Sequence, residues 1–181
     1  MPRSAQRKQL PSSAIYPDSQ SPKAPVRIQA VIDNSYVSKP FYRMINIEKA
    51  CPIVSRTTER GLEVLAFMHP SAGNQFVKGT IEKGEQPRNA AERELLEESG
   101  LVCPCAMEPL GSLPIGPDRT LWHFFAWHSS GLPDRWHHAA EDDFGHTFAF
   151  FWHPIKSPLN ENWHPIFHEA FQFFASRLRA P

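Results

Sequence analysis

This chain has little of what marks the more specialised classes of protein. No apolar run approaches the roughly 18 residues that a membrane-crossing helix needs, so a bilayer-spanning role is set aside. Its 19 basic residues match its 19 acidic ones. That balance leaves no bulk field to draw in a nucleic-acid polymer or an anionic membrane. Cysteine is scarce and odd in number, with only Cys51, Cys103 and Cys105. No disulfide framework follows from that, and a reducing, cytoplasmic setting is expected. Cys103-Pro-Cys105 lacks the second pair that a metal clip requires. No internal repeat is present.

What is present suits one packed domain with an extension. The chain has 181 residues, 41% of them hydrophobic, and its 13 Phe and 5 Trp give enough apolar surface for a real core. Residues 1–26 are rich in Pro, Ser, Gln and basic side chains without apolar periodicity, and they read as a disordered tail. Arg3, Arg7, Lys8 and Lys23 suggest a transit peptide, but the repeated prolines oppose the amphipathic helix that one needs. Residues 27–46 form a β-prone extension that would add an edge strand, cover the core or make a homodimer contact. The main domain is placed at 47–181.

Within it, Ala50–Arg56 and Leu62–Met68 flank Thr-Thr-Glu-Arg-Gly and predict a hairpin. Asn74–Lys78 is expected as a short strand. Met107–Leu113, Leu121–His128 and Thr147–His153 follow as strands, the last with Phe148, Phe150 and Trp152 on one face. Residues 129–146 are expected to be a long polar connection. The apolar spacing of Ile166, Phe167, Ala170, Phe171, Phe174 and Leu178 predicts a core-packing helix over 165–178. Strands, a helix, strands and a final helix suggest a mixed sheet between helices.

The stretch that carries chemistry is Gly79–Leu101, GTIEKGEQPRNAAERELLEESGL. Pro87 suits the first helical position and Gly100 the cap, which predicts a helix over 87–99. Glu94, Glu97 and Glu98 then fall at i, i+3 and i+4, on one arc of the helix. Gathering like charges costs a few tenths of a kcal/mol per pair. A site collecting hard oxygen ligands for Mg²⁺ or Mn²⁺ accounts for that cost. A solvated charged helix is the plainer reading of the composition.

The spacing decides between them. Gly79, Glu85, Arg93, Glu94, Leu95, Glu97, Glu98, Gly100 and Leu101 resemble the Nudix box at every specified position. The resemblance implies an α+β fold, an α/β/α sandwich around a mixed sheet. It also implies divalent-metal-dependent hydrolysis of a nucleoside diphosphate linked to another moiety. Carried over position by position, Glu94 and Glu98 would be metal ligands, and the Gly79 carbonyl another. Glu97 would act as ligand or as proton acceptor for the attacking water. Arg93 would orient a carboxylate such as Glu85, and Lys78 would meet phosphate. The family often supplies a further acid beyond the box, for which Glu141 is favoured over Asp142 and Asp143.

Eight of the nine histidines lie between His123 and His168, but no pattern of zinc ligands emerges. Trp122, Trp127 and Trp136 could stack a base, although core burial is the commoner fate of such residues. Lys78-Gly79 with Glu82 and Glu85 looks like the box entry of diadenosine-polyphosphate hydrolases. Asp118 and Arg119 stand where those enzymes usually carry a tyrosine. Pro117 fits ADP-ribose hydrolases instead, so the small nucleotide substrate stays open between them. An isopentenyl-diphosphate isomerase would depart from this intact box. A nucleotide-sensing binding module remains the alternative from a different class.

Overall fold

The computed structural model describes residues 47–140 and 145–178. The expectations for 1–46, and for Glu141, Asp142 and Asp143, therefore lie outside the described residues.

Alternating apolar residues build the centre of the molecule. β1 (Glu48–Thr58) and β2 (Gly61–His69) form the expected hairpin, each reaching slightly beyond its predicted ends. Gly61 closes the turn at a φ of 111°, where a side chain would be strained. The expected strand over 74–78 is replaced by two shorter ones, β3 (Gly73–Gln75) and β4 (Gly79–Thr80). β3 pairs with β2 and β4 with the start of β1, so residues 76–78 cross between two partners and pair with neither strand.

The box helix α1 spans Pro87–Ser99, as its spacing predicts. Pro87 occupies the first turn, and Gly100 takes the left-handed conformation (φ 73°) that ends the helix. β5 (Glu108–Ile115) and β6 (Thr120–His128) form a second hairpin. The long polar connection contains a strand the sequence did not announce, β7 (Trp136–Ala139). It pairs with β8 (Thr147–Pro154). The terminal helix α2 is Ile166–Ala175, shorter than expected.

The sheet order is β5-β6-β1-β2-β8-β7. β1 and β6 run parallel and the other neighbours antiparallel, which makes the sheet mixed. Because side chains alternate along a strand, each face has its own core. Ala50, Val54, Leu65, Phe67, Phe148, Phe150 and Trp152 meet Ala90, Ala91 and Leu95 of α1. Cys51, Ile53, Val64, Ala66, Trp122 and Phe124 meet Phe167, Ala170, Phe171 and Phe174 of α2. This is the α/β/α sandwich. Ala90 and Ala91 let α1 lie close to the sheet, which brings its next turn onto β4.

Candidate active site

The box helix buries Ala90, Ala91, Glu94, Leu95 and Ser99. Four of these are small or apolar. Glu94 is the exception, a carboxylate on the sheet-facing side with 6% of its surface exposed. It sits against the bare backbone of Gly79. A methyl group built at Gly79 would meet the Glu94 carboxylate at 1.7–1.9 Å. Glycine is therefore required here for space, to let a carboxylate and a main-chain segment share one place.

Arg93 ties the acids together. Its Nε donates to Glu85 Oε1 at 3.0 Å, and Nη2 donates to Glu85 Oε2 and to the Thr80 carbonyl, both at 3.0 Å. Nη1 donates to Glu94 Oε1 and to Glu97 Oε2, each at 2.8 Å. One planar guanidinium thus fastens the loop before the helix, strand β4 and two box acids. The hydrogen bond from Arg93 holds the Glu85 carboxyl below the usual carboxylate range. The same partners, Glu85 first, make Arg93 hold its proton still more tightly.

Glu97 is half-exposed on the flank of the helix. Glu98 turns inward, and its Oε2 has less than 1 Å² of accessible surface. Two lysines stand near these acids. Lys49 on β1 donates to Thr80 Oγ1 at 2.6 Å. Its pKa is lowered, first by burial and then by the charge of Lys78, while Glu94 and Glu98 pull the other way. Cys51, two residues on, donates to the Val77 carbonyl at 3.2 Å, and burial pushes its thiol pKa up. It is a core thiol and no nucleophile.

The structure thus gathers Gly79, Arg93, Glu94, Glu97 and Glu98 around β4, with Lys78 at the strand's approach. Lys49 is the residue that the sequence did not single out. Its signal lay in pairing, since Lys49 stands opposite Thr80 and Ala50 opposite Gly79. Trp136 and His138 of β7 close the far end of the helix. Trp136 Nε1 donates to the Ser99 carbonyl at 3.0 Å, and His138 Nε2 lies 3.1 Å from the Glu97 carbonyl. Trp136 also stacks on Phe150, and Trp122 is buried in the α2-side core.

The donor set suits a hard divalent cation in chemistry, being carboxylates and a carbonyl. Its fit shows in the Gly79–Glu94 approach and in the inward-turned Glu98 oxygen. Among the described residues, no three acid, histidine or cysteine side chains already converge on one coordination point. Glu94 and Glu97 are each hydrogen-bonded to Arg93 Nη1 instead.

Residues 50–172 match the NUDIX domain, and the chain belongs to that family. Solved structures agree on the fold. A structure from a study of MutT from Aliivibrio salmonicida and Vibrio cholerae superposes with a TM-score of 0.53 at 17% identity. It covers 75% of this chain and 100% of that one. The NUDIX domain of Shewanella oneidensis NrtR, complexed with ADP ribose, gives 0.54 at 15% identity, covering 74% and 89%. A C. elegans Ap4A hydrolase in a binary complex gives 0.51 at 15% identity, covering 71% and 96%. No curated protein sequence matches the chain.

Proposed function

We propose that this protein is a divalent-metal-dependent hydrolase that cleaves a pyrophosphate bond in a nucleoside diphosphate linked to a second moiety. The observation that carries the reading is the Gly79–Glu94 contact, where a buried carboxylate meets a backbone segment that only glycine could provide. Glu94, Glu98 and the Gly79 carbonyl would hold Mg²⁺ or Mn²⁺, with Glu97 completing the set or taking the proton of the attacking water. The bound cation would offset the charge of the pyrophosphate and make water easier to deprotonate.

The chain's own residues do the rest. Lys49 and Lys78 place two cations beside the acids, where they attract and orient a polyanionic substrate. Arg93 keeps Glu85, β4 and the box acids in register, so that the carboxylates need little reorganisation when the substrate arrives. Glu141, with Asp142 and Asp143 as alternates, is proposed as a further base or ligand. ADP-ribose and dinucleoside polyphosphates are the substrates to try first, because structural neighbours are complexed with the first or named for the second.

The test is a hydrolysis panel of ADP-ribose, dinucleoside polyphosphates, nucleotide sugars, NADH and oxidised dNTPs, with Mg²⁺, Mn²⁺ or EDTA. Metal-dependent release of a mononucleotide from one compound supports the proposal. Tight nucleotide binding without turnover across the panel would favour a nucleotide-sensing module instead.

A further inference from the structure

A second polar constellation lies on the α1 side of the sheet, beside the first turn of α1. Strand pairing assembles it. Ser112 on β5 stands directly across from His123 on β6. His123 in turn is the parallel partner of Ala50, two residues after Glu48 on β1. Residues two apart on a strand share a face, so Glu48 and His123 project to the same side. Ser112 Oγ lies 2.8 Å from His123 Nδ1, and His123 Nε2 lies 2.8 Å from Glu48 Oε2.

The proton positions follow from the partners. A carboxylate only accepts, so the ring proton sits on Nε2 and is donated to Glu48. In the neutral ring Nδ1 then carries the lone pair and accepts from the Ser112 hydroxyl. That is the order of a general base aimed at a serine and oriented by an acid.

The local backbone is also built for presentation. The β5–β6 register shifts between Pro109 and Gly111, and Gly111 has a φ of 112°. Such a bulge re-aims the side chain that follows it. The residue that follows is Ser112, which is exposed, while His123 is largely shielded. Ser112 and His123 open on a cleft of about 450 Å³, which Gln86, Arg88 and Asn89 of the α1 N-terminus also line. The first intrahelical donor there is the Ala90 N–H, and no acidic side chain occupies the first turn. The Arg88 and Asn89 amides precede it, as donors suited to a developing oxyanion.

We propose that Ser112, His123 and Glu48 form a second reactive centre, independent of the box glutamates, that accepts the acyl group of small esters. Ser112 Oγ attacks the ester carbonyl while His123 Nδ1 takes its proton. The carbonyl–alkoxy bond then breaks and His123 returns that proton to the leaving alcohol. Water, deprotonated by the same nitrogen, releases the carboxylic acid and restores the serine. No metal enters these steps. A polar bridge that merely ties three strands together would show the same distances without this reactivity.

The experiment separates the two. The full chain in EDTA is treated with p-nitrophenyl acetate and, separately, with a fluorophosphonate, and the modified residue is located by peptide mass spectrometry. Acetyl and phosphonyl groups are expected on Ser112. Ser112→Ala should abolish that labelling, and Glu48→Gln should slow it about 10²-fold. Unfolding midpoints within a few degrees of wild type show that both variants fold. Labelling elsewhere, no labelling, or equal rates in wild type and a folded Glu48→Gln would overturn the proposal. Because EDTA is present throughout, failure here leaves the nucleotide-hydrolase reading untouched.

Discussion

Replacing Gly79 by alanine tests the proposed metal site through its geometry alone. The added methyl group would lie 1.7 Å from the Glu94 carboxyl carbon. Glu94 must retreat by about 1.7 Å to regain an ordinary contact of 3.4 Å. Metal–ligand distances tolerate only about 0.2 Å, so a displacement several times larger removes Glu94 as a ligand. The retreat also pulls Oε1 away from Arg93 Nη1, now 2.8 Å distant. A hydrogen bond to a charged group is worth about 1.5–3 kcal/mol, and partial exposure of Arg93 discounts it to about 1 kcal/mol.

The expected outcome is thus asymmetric. Gly79→Ala should lose about 10²-fold or more in kcat at fixed Mg²⁺, and require far more metal for half-saturation. Its stability in urea, measured in EDTA, should fall by only about 1 kcal/mol. A double-mutant cycle with Glu94→Gln sharpens the argument, because contacting residues are non-additive. Once Glu94 no longer serves as a ligand, Gly79→Ala should add little further loss. A folded Gly79→Ala with wild-type metal dependence would refute the reasoning, and so would full additivity in the cycle.

Four other outcomes are expected. Glu98→Gln should lower kcat by orders of magnitude, while metal-free stability stays level or rises slightly as like-charge repulsion is relieved; thermal unfolding in EDTA reads the second part. Glu141→Gln should lower kcat by about 10²–10⁴-fold at saturating metal, with Asp142→Asn and Asp143→Asn doing much less. Arg93 depresses the Glu85 pKa, so the pair stabilises the fold above the ordinary carboxylate pKa and loses that contribution as pH falls through the lowered native value. Glu85→Gln should therefore be less stable than wild type in urea at neutral pH, by a margin that shrinks as the pH falls through that lowered value. Phe76 is fully buried among Trp163, Phe167, Phe171 and Phe174, so Phe76→Ala should cost about 3–5 kcal/mol in urea unfolding.

The elements that sequence could locate are those whose information is local. α1 carries its own punctuation, with Pro87 at one end and Gly100 at the other, and both bounds fall where that punctuation puts them. The three acids share an arc because 3.6 residues make a turn, whatever surrounds the helix. The face of β8 is equally local: Phe148, Phe150 and Trp152 alternate and all enter the α1-side core. β7 was hidden because Trp136-His137-His138-Ala139 has no run of β-branched residues. Its strand character comes from pairing with β8 and from the Trp136 and His138 contacts to the end of α1.

What was not legible depends on register between distant strands. Lys49 looks like any surface lysine until β4 pairs across from it and sets it beside Lys78, Glu94 and Glu98. Glu48, Ser112 and His123 are separated by up to 75 residues, and only the β5-β6-β1 order brings them together. A shift of one residue in either pairing would turn His123 to the opposite face of the sheet from one of its partners. The box glutamates tolerate no such dependence, since one helix carries them all. The difference bears on how each centre can fail: helix-borne acids are lost by substitution, whereas the cross-strand centre is lost by any change that slips a strand. A one-residue deletion in the turn at 116–119, which leaves the three side chains in place chemically but shifts the register on which Ser112 meets His123, should therefore abolish Ser112 labelling as completely as Ser112→Ala does.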